Sequence, residues 1–120
     1  MKQGYNRSTV MGRLSENPDV RRNAQGFMVG RLVVEAPRTW KDRDGNLRSE
    51  SDFIPCLLKG KDAENAEVYL KKGSAVLVEG HLTTRTFEEP NGNHKSVTEV
   101  MASKVIYLGG MGSGGESIRR

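Results

Sequence analysis

The sequence predicts an all-β domain, a small five-stranded Greek-key barrel with one short helix between its third and fourth strands. Three observations carry that expectation. Apolar residues alternate with polar ones over most of residues 5–108. Two glycine-containing turn signatures fold long stretches back on themselves, and a single helical segment separates two of the strand runs.

Residues 5–14 are β-like and end in the turn-forming Asn17-Pro18-Asp19. Residues 27–36 (FMVGRLVVEA) form a second strand. Asp44-Gly45-Asn46 then makes a hairpin tip, because Asp-Gly supplies the positive φ angles of a type I′ turn. Residues 53–59 are a third strand and 76–87 a fourth; a tip at Pro90-Asn91-Gly92-Asn93 leads into a fifth over 95–108. Both hairpins are longer than compactness needs and are expected to project as fingers. In the helix, Asp62 can cap the start, and Ala63, Ala66 and Leu70 recur on one face. Lys71 and Lys72 suit the negative end of its dipole, and Gly73 the left-handed stop position. Three strands, a helix and two strands is the layout of the OB-fold, whose barrel face binds oligonucleotides. Residues 1–108 make up this domain. Residues 109–120 are read as a flexible glycine-rich tail, too poor in apolar side chains to offset the entropy of ordering.

Nineteen Lys and Arg against fifteen Asp and Glu give a net charge of +4, which suits a polyanionic partner. Cys56 is the sole cysteine, so no internal disulfide forms and a reducing, cytoplasmic setting is expected. It lies beside Leu57 and Leu58 and reads as a small buried hydrophobe. The N-terminus has no apolar signal core, and no stretch approaches the roughly 20 apolar residues that span a bilayer. His81 and His94 are the only histidines and lack partners at metal-ligand spacing or in a nucleophile–base–acid arrangement. The sequence therefore predicts no catalytic site, no metal, no cofactor and no small-molecule substrate.

Aromatic residues interleaved with cations are what an unpaired strand needs. Bases stack on Trp or Phe, contributing about 1–3 kcal/mol each by alanine substitution, while Lys and Arg neutralise phosphates. Trp40 lies in a polar hairpin arm with no obvious core, Phe53 begins a strand, and Phe87 ends one. These three are the candidate stacking residues. Candidate phosphate contacts are Arg7, Arg22, Arg38, Lys41, Arg43, Arg48, Lys59, Lys61, Lys71, Lys72 and Arg85. Strand alternation puts Val76, Val78 and Leu82 on one face of the fourth strand, and Glu79, His81, Thr83, Arg85 and Phe87 on the other. Tyr69 and Tyr107 read as packing residues.

Several of these stretches stand in the order seen in bacterial-type single-stranded DNA-binding proteins: Asn6-Arg7, Gly12-Arg13-Leu14, Asn17-Pro18-Asp19-Val20-Arg21, Trp40-Lys41-Asp42, Tyr69-Leu70-Lys71-Lys72-Gly73-Ser74, Val78-Glu79-Gly80, Thr84-Arg85 and Thr98-Glu99-Val100. The resemblance spans roughly residues 5–110. It implies an OB-fold that assembles as a homotetramer, with a dimer as the alternative, and wraps single-stranded DNA during replication, recombination and repair. Carried over position by position, the family's stacking aromatics fall on Trp40, Phe53 and Phe87, and a fourth falls on Lys59. Arg22 stands where an aromatic is frequent, Ile54 where many relatives have a histidine near the subunit interface, and Pro55 follows within a strand. Relatives typically end in an acidic, aromatic tip that recruits partner enzymes. This chain ends Ser117-Ile118-Arg119-Arg120, so such recruitment is not expected of it. Two other readings stand beside single-stranded DNA binding: a barrel used mainly for protein contacts, and an RNA-binding domain.

Overall fold

The computed structural model describes residues 1–109; the tail predicted over 109–120 lies outside the described residues from position 110 onward. Six strands and one helix follow in the order β1 (Ser8–Leu14), β2 (Asp19–Arg22), β3 (Met28–Lys41), β4 (Leu47–Lys59), α1 (Lys61–Tyr69), β5 (Ala75–Glu88) and β6 (His94–Tyr107). The sheet runs β1-β5-β6-β4-β3-β2 and closes on itself where β1 also pairs with β3. Five strands therefore make the predicted barrel, and β2 is an added edge on β3. All pairings are antiparallel except β4 with β6, which is parallel over Cys56–Val100 and Leu57–Met101.

Alternation along the strands builds the core. Leu32 and Val34 of β3, Cys56 and Leu58 of β4, Val76 and Val78 of β5 and Val100 of β6 are all buried and face inward. Full burial of each aliphatic side chain is worth about 1.5–3 kcal/mol. Ala63 and Ala66 carry one face of α1 onto this core, and Leu70 joins it from just past the helix end. A Cβ on Gly30 would sit 3.2 Å from Val20 Cγ2, a tight contact, and at an ordinary 3.4 Å from the Ala63 Cβ. Closure does need glycine, because a Cβ on Gly12 would sit 2.1 Å from the Glu35 carbonyl oxygen across the β1–β3 seam.

The structure corrects several expectations. β2 was not expected; its four residues carry only Val20 as an apolar anchor, so it shows no period of its own and forms because β3 offers a partner. Asp62 makes no cap: α1 starts after Gly60 with no side-chain capping bond, and Asp62 sits in the first turn, where it still complements the dipole. The helix also stops earlier than Gly73, at Tyr69, with Leu70 already extended. Gly73 does have a positive φ of 93°, but within the next turn, where Ser74 N–H reaches Lys71 O. Lys71 and Lys72 consequently lie beyond the last helical turn.

The hairpin tips are not type I′. In the first, Gly45 N–H bonds Asp42 O and Asp42 N–H bonds Asn46 O, with Gly45 at φ 83°. That is a four-residue turn closed by a left-handed glycine, and it recurs at Asn23–Phe27 with Gly26 and at Glu89–Asn93 with Gly92. In the first two, the leading Asn or Asp side chain accepts two backbone N–H bonds and so fixes the loop. Pro55 costs the β3–β4 ladder nothing. Its partner Val33 aims its carbonyl at Ser15 N–H on the β1 side, so the Val33–Pro55 pair is a non-hydrogen-bonded one in the β3–β4 ladder.

Both predicted fingers are present, β3–β4 pairing out to Lys41–Leu47 and β5–β6 out to Glu88–His94. Among the described residues no helix is long and apolar enough to cross a membrane.

Candidate nucleic-acid interface

Register and alternation fix which side of the barrel each candidate occupies. On β4, Phe53, Leu57 and Lys59 point outward, and so do Glu35 and Arg31, the β3 partners of Phe53 and Leu57. On β5, Thr83, Arg85 and Phe87 point outward together with Glu99 and Met101 of β6. Lys59 and Arg85 thus come together in one shallow groove, lined also by Arg21, Arg31, Leu57 and Met101. Phe53 shares its strand face with Leu57 and Lys59 and is 58% exposed. Phe87 is packed under Arg85, whose guanidinium carbon lies 5.6 Å from the ring centroid.

Trp40 is not on that face. It continues the inward-facing series Leu32, Val34, Ala36, Arg38, past the barrel rim, and so occupies the side of its finger opposite Phe53. Arg38 lies over it at 5.0 Å from the ring centroid, a contact worth about 0.5–1 kcal/mol at an exposed site. Arg38 in turn donates from Nε to Asp52 and from Nη2 to Glu50, each at 3.0 Å. The hydrogen bond and charge of Asp52, reinforced by Glu50, hold the guanidinium pKa above its ordinary value. Arg48, opposite Trp40, donates to Asp42 at 2.9 Å. The bonds from Asn46 N–H and from Arg48 keep the Asp42 carboxyl below its ordinary value.

The predicted cations therefore differ in what they already hold. Arg38, Arg48, Lys61 and Arg85 are ion-paired with Asp52 and Glu50, Asp42, Glu64 and Glu99 respectively. Arg22 donates to the Gly26 carbonyl. Arg7, Lys41, Arg43, Lys59, Lys71 and Lys72 are exposed, and among the described residues none of these six is in an ion pair. Lys72 sits beside Asn17, whose side chain accepts its backbone N–H and which stands two residues before Asp19 of the groove lining.

Sequence reasoning missed Arg21, Arg31 and Glu99. Glu99 is 2% exposed, with Arg85 Nε at 2.9 Å and Arg31 Nε at 3.7 Å. An acid inside the apolar run Val97–Met101 was the available signal, since a buried carboxylate needs cationic partners. Asn6 was likewise read only as part of a motif. Its side chain both donates to and accepts from the Leu82 backbone, tying the segment before β1, and with it Arg7, to the free edge of β5. Tyr69 is not packed as expected: it is 68% exposed and meets Tyr107 at 6.4 Å between ring centroids. Cys56 is fully buried as expected, and desolvation pushes its thiol up to about 12.

A second exposed apolar feature lies away from the groove. Met11, Leu77 and Ile106 are directly paired across β1, β5 and β6 and form an outward row, with Met11 60% exposed.

The model of the single-strand binding protein family matches residues 5–108. The chain is 40% identical over 111 residues to a single-stranded DNA-binding protein of Bacillus cereus, covering 92% of this chain and 64% of that protein. It thus spans less than two thirds of that relative's length. It is 36% identical over 104 residues to single-stranded DNA-binding protein B of Bacillus subtilis, covering 87% of this chain and 90% of that one. Among solved structures, it is similar to the Plasmodium falciparum SSB in complex with ssDNA, with a TM-score of 0.82 and 26% identity over 90% of this chain and 98% of that one.

Proposed function

Because the chain belongs to the single-strand binding protein family, we propose that it is a non-catalytic protein that binds single-stranded DNA with little sequence preference. Bases stack on Phe53, Phe87 and Trp40, and phosphates meet the groove cations Lys59 and Arg85 and the exposed Arg7, Lys41, Arg43, Lys71 and Lys72. Binding of this kind protects and wraps strands exposed during replication, recombination and repair. The observation that carries the reading is the outward groove in which Lys59, Arg31 and Arg85 converge beside Leu57 and Met101, with Phe87 packed on Arg85. Cations for phosphates and flat apolar surface for bases lie together there, whereas among the described residues no helical one lines the groove to enter a duplex major groove.

The strand takes a path over more than one side of the molecule, since Trp40 and Phe53 occupy opposite faces of the β3–β4 finger. A homo-oligomer, a tetramer or else a dimer, suits such wrapping. The row of Met11, Leu77 and Ile106 supports assembly, because two exposed apolar side chains flanking a half-buried one on a sheet gain by being covered. Sedimentation at tens of micromolar should give an oligomer, and Met11→Glu should shift it toward monomer; a monomeric parent protein would refute assembly.

Fluorescence anisotropy of a labelled oligo-dT, with duplex DNA and oligo-U as competitors at two salt concentrations, tests the binding reading. Oligo-dT should bind far more tightly than duplex, with affinity falling as salt rises. Equal competition by duplex would overturn the proposal, and stronger competition by oligo-U would favour the RNA-binding reading.

A further inference from the structure

The groove is lined by one acid, Asp19, and its Arg31 and Arg85 lean on a second, buried one that charge alone would not place there. Glu99 is 2% exposed, on the outward side of β6, and it faces two guanidiniums. Arg85 grips it in a fork, Nε to Oε1 at 2.9 Å and Nη2 to Oε2 at 3.4 Å. Arg31 Nε stands 3.7 Å from Oε2, close enough for charge pairing but with its donors unspent. The two arginine side chains remain 56% and 44% exposed, so their outer N–H groups reach solvent.

We propose that Glu99 is a positioning residue for strand binding, holding Arg31 and Arg85 as a fixed pair of phosphate-binding guanidiniums in the groove and, through Arg85, supporting the Phe87 ring. This rests on the single-stranded DNA reading above and adds Arg31 to the contacts that reading assigns. An unrestrained arginine loses rotamer freedom when it binds a phosphate. One already anchored by Nε and Nη2 has lost it on folding and still presents its Nη1 donors. The same anchor keeps the Arg85 plane against Phe87, so one side chain couples a phosphate contact to a stacking ring. Leu57 and Met101 wall the groove beside the pair.

The proposal has a sign that simple electrostatics does not share. Glu99→Gln removes a negative charge from a surface that must hold phosphates, so charge counting predicts tighter binding. Loss of positioning predicts weaker binding, by about tenfold, because Arg85 loses its charged fork and Arg31 its buried counter-charge. The measurement is oligo-dT affinity of the full chain at one salt concentration, beside thermal unfolding of the same samples. Failure of the parent protein to bind oligo-dT would refute the functional reading itself. If the parent binds and Glu99→Gln binds as tightly or more tightly, positioning is refuted, whatever happens to the melting temperature. In an Arg31→Ala/Arg85→Ala background, Glu99→Gln should no longer weaken binding; an equal loss there would also refute it. Should Glu99→Gln not fold, Arg85→Lys decides. It keeps the charge but not the fork, and is expected to weaken binding about fivefold with an unchanged salt slope. Unchanged affinity would overturn the proposal.

Discussion

Replacing Gly12 by alanine tests the barrel closure on which the whole surface depends. The added Cβ would lie 2.1 Å from the Glu35 carbonyl oxygen, 2.8 Å from its carbon and 3.0 Å from Val34 Cγ1. Two of those atoms are backbone, so no side-chain rotation relieves the overlap. β1 and β3 must separate by more than an ångström, at the seam where Arg13 pairs with Glu35 and Leu14 with Val34. Overpacking of this kind costs about 1–3 kcal/mol. For 120 residues, an unfolding entropy of roughly 2.1 cal/mol/K per residue gives about 0.25 kcal/mol per degree, and hence a fall in Tm of about 4–12 °C. Calorimetry at a fixed protein concentration reads it, since assembly adds its own concentration-dependent stability. Gly4→Ala is the control, because nothing lies within 4 Å of that position. A Gly12→Ala protein melting within about a degree of the parent would mean that β1 does not approach β3 this closely, and the closed barrel would be wrong.

Trp40→Ala should weaken oligo-dT binding more than Lys72→Ala, by about 1–3 kcal/mol against a few tenths, since stacking outweighs one solvated charge; titration of both variants in parallel reads this, and the reverse ranking would show the strand held mainly by charge. Asp42 supplies a pH test. Its folded pKa lies below the unfolded value, so the order that it gives the first finger tip is complete above the ordinary 3.8 and is lost only as pH falls through the folded pKa. Carboxyl NMR titration should give a midpoint below 3.8, and one at or above it would contradict the Asp42–Asn46 loop geometry. Cys56 should resist alkylation at pH 8 until the protein unfolds, because burial keeps its thiol protonated; rapid labelling of the folded protein would place it at the surface.

The barrel was readable because its strands repeat at period two, and because Ala63 and Ala66 of its helix, with Leu70 just past the end, stand at helical spacing. β2 was not, since Asp19–Arg22 has one apolar residue and owes its strand geometry to pairing with β3. Parity along β4 and β5 correctly set Phe53 and Phe87 on outward faces once the inward residues were known, but the same rule applied to β3 sends Trp40 to the other side. A list of aromatics in the sequence carries no such register. The cations were similarly opaque: Arg38, Arg48 and Arg85 look alike in sequence to Lys41 and Lys59, yet the first three meet carboxylates only because the fingers bring Asp52, Asp42 and Glu99 across from them. Glu99 shows the converse, an acid whose role is defined by two arginines from other strands, at positions 31 and 85.

Trp40 offers the most direct measurement, because it is the sole tryptophan and lies 40% exposed on the first finger. Its fluorescence, excited selectively and followed while oligo-dT is added, reports base stacking at that ring rather than mere proximity of charge. Saturable quenching by oligo-dT, with little response to duplex DNA of the same length, is the predicted result. An unchanged signal across a titration that anisotropy shows to be complete, or equal quenching by duplex, would contradict a single strand stacked on the aromatic residues of this barrel.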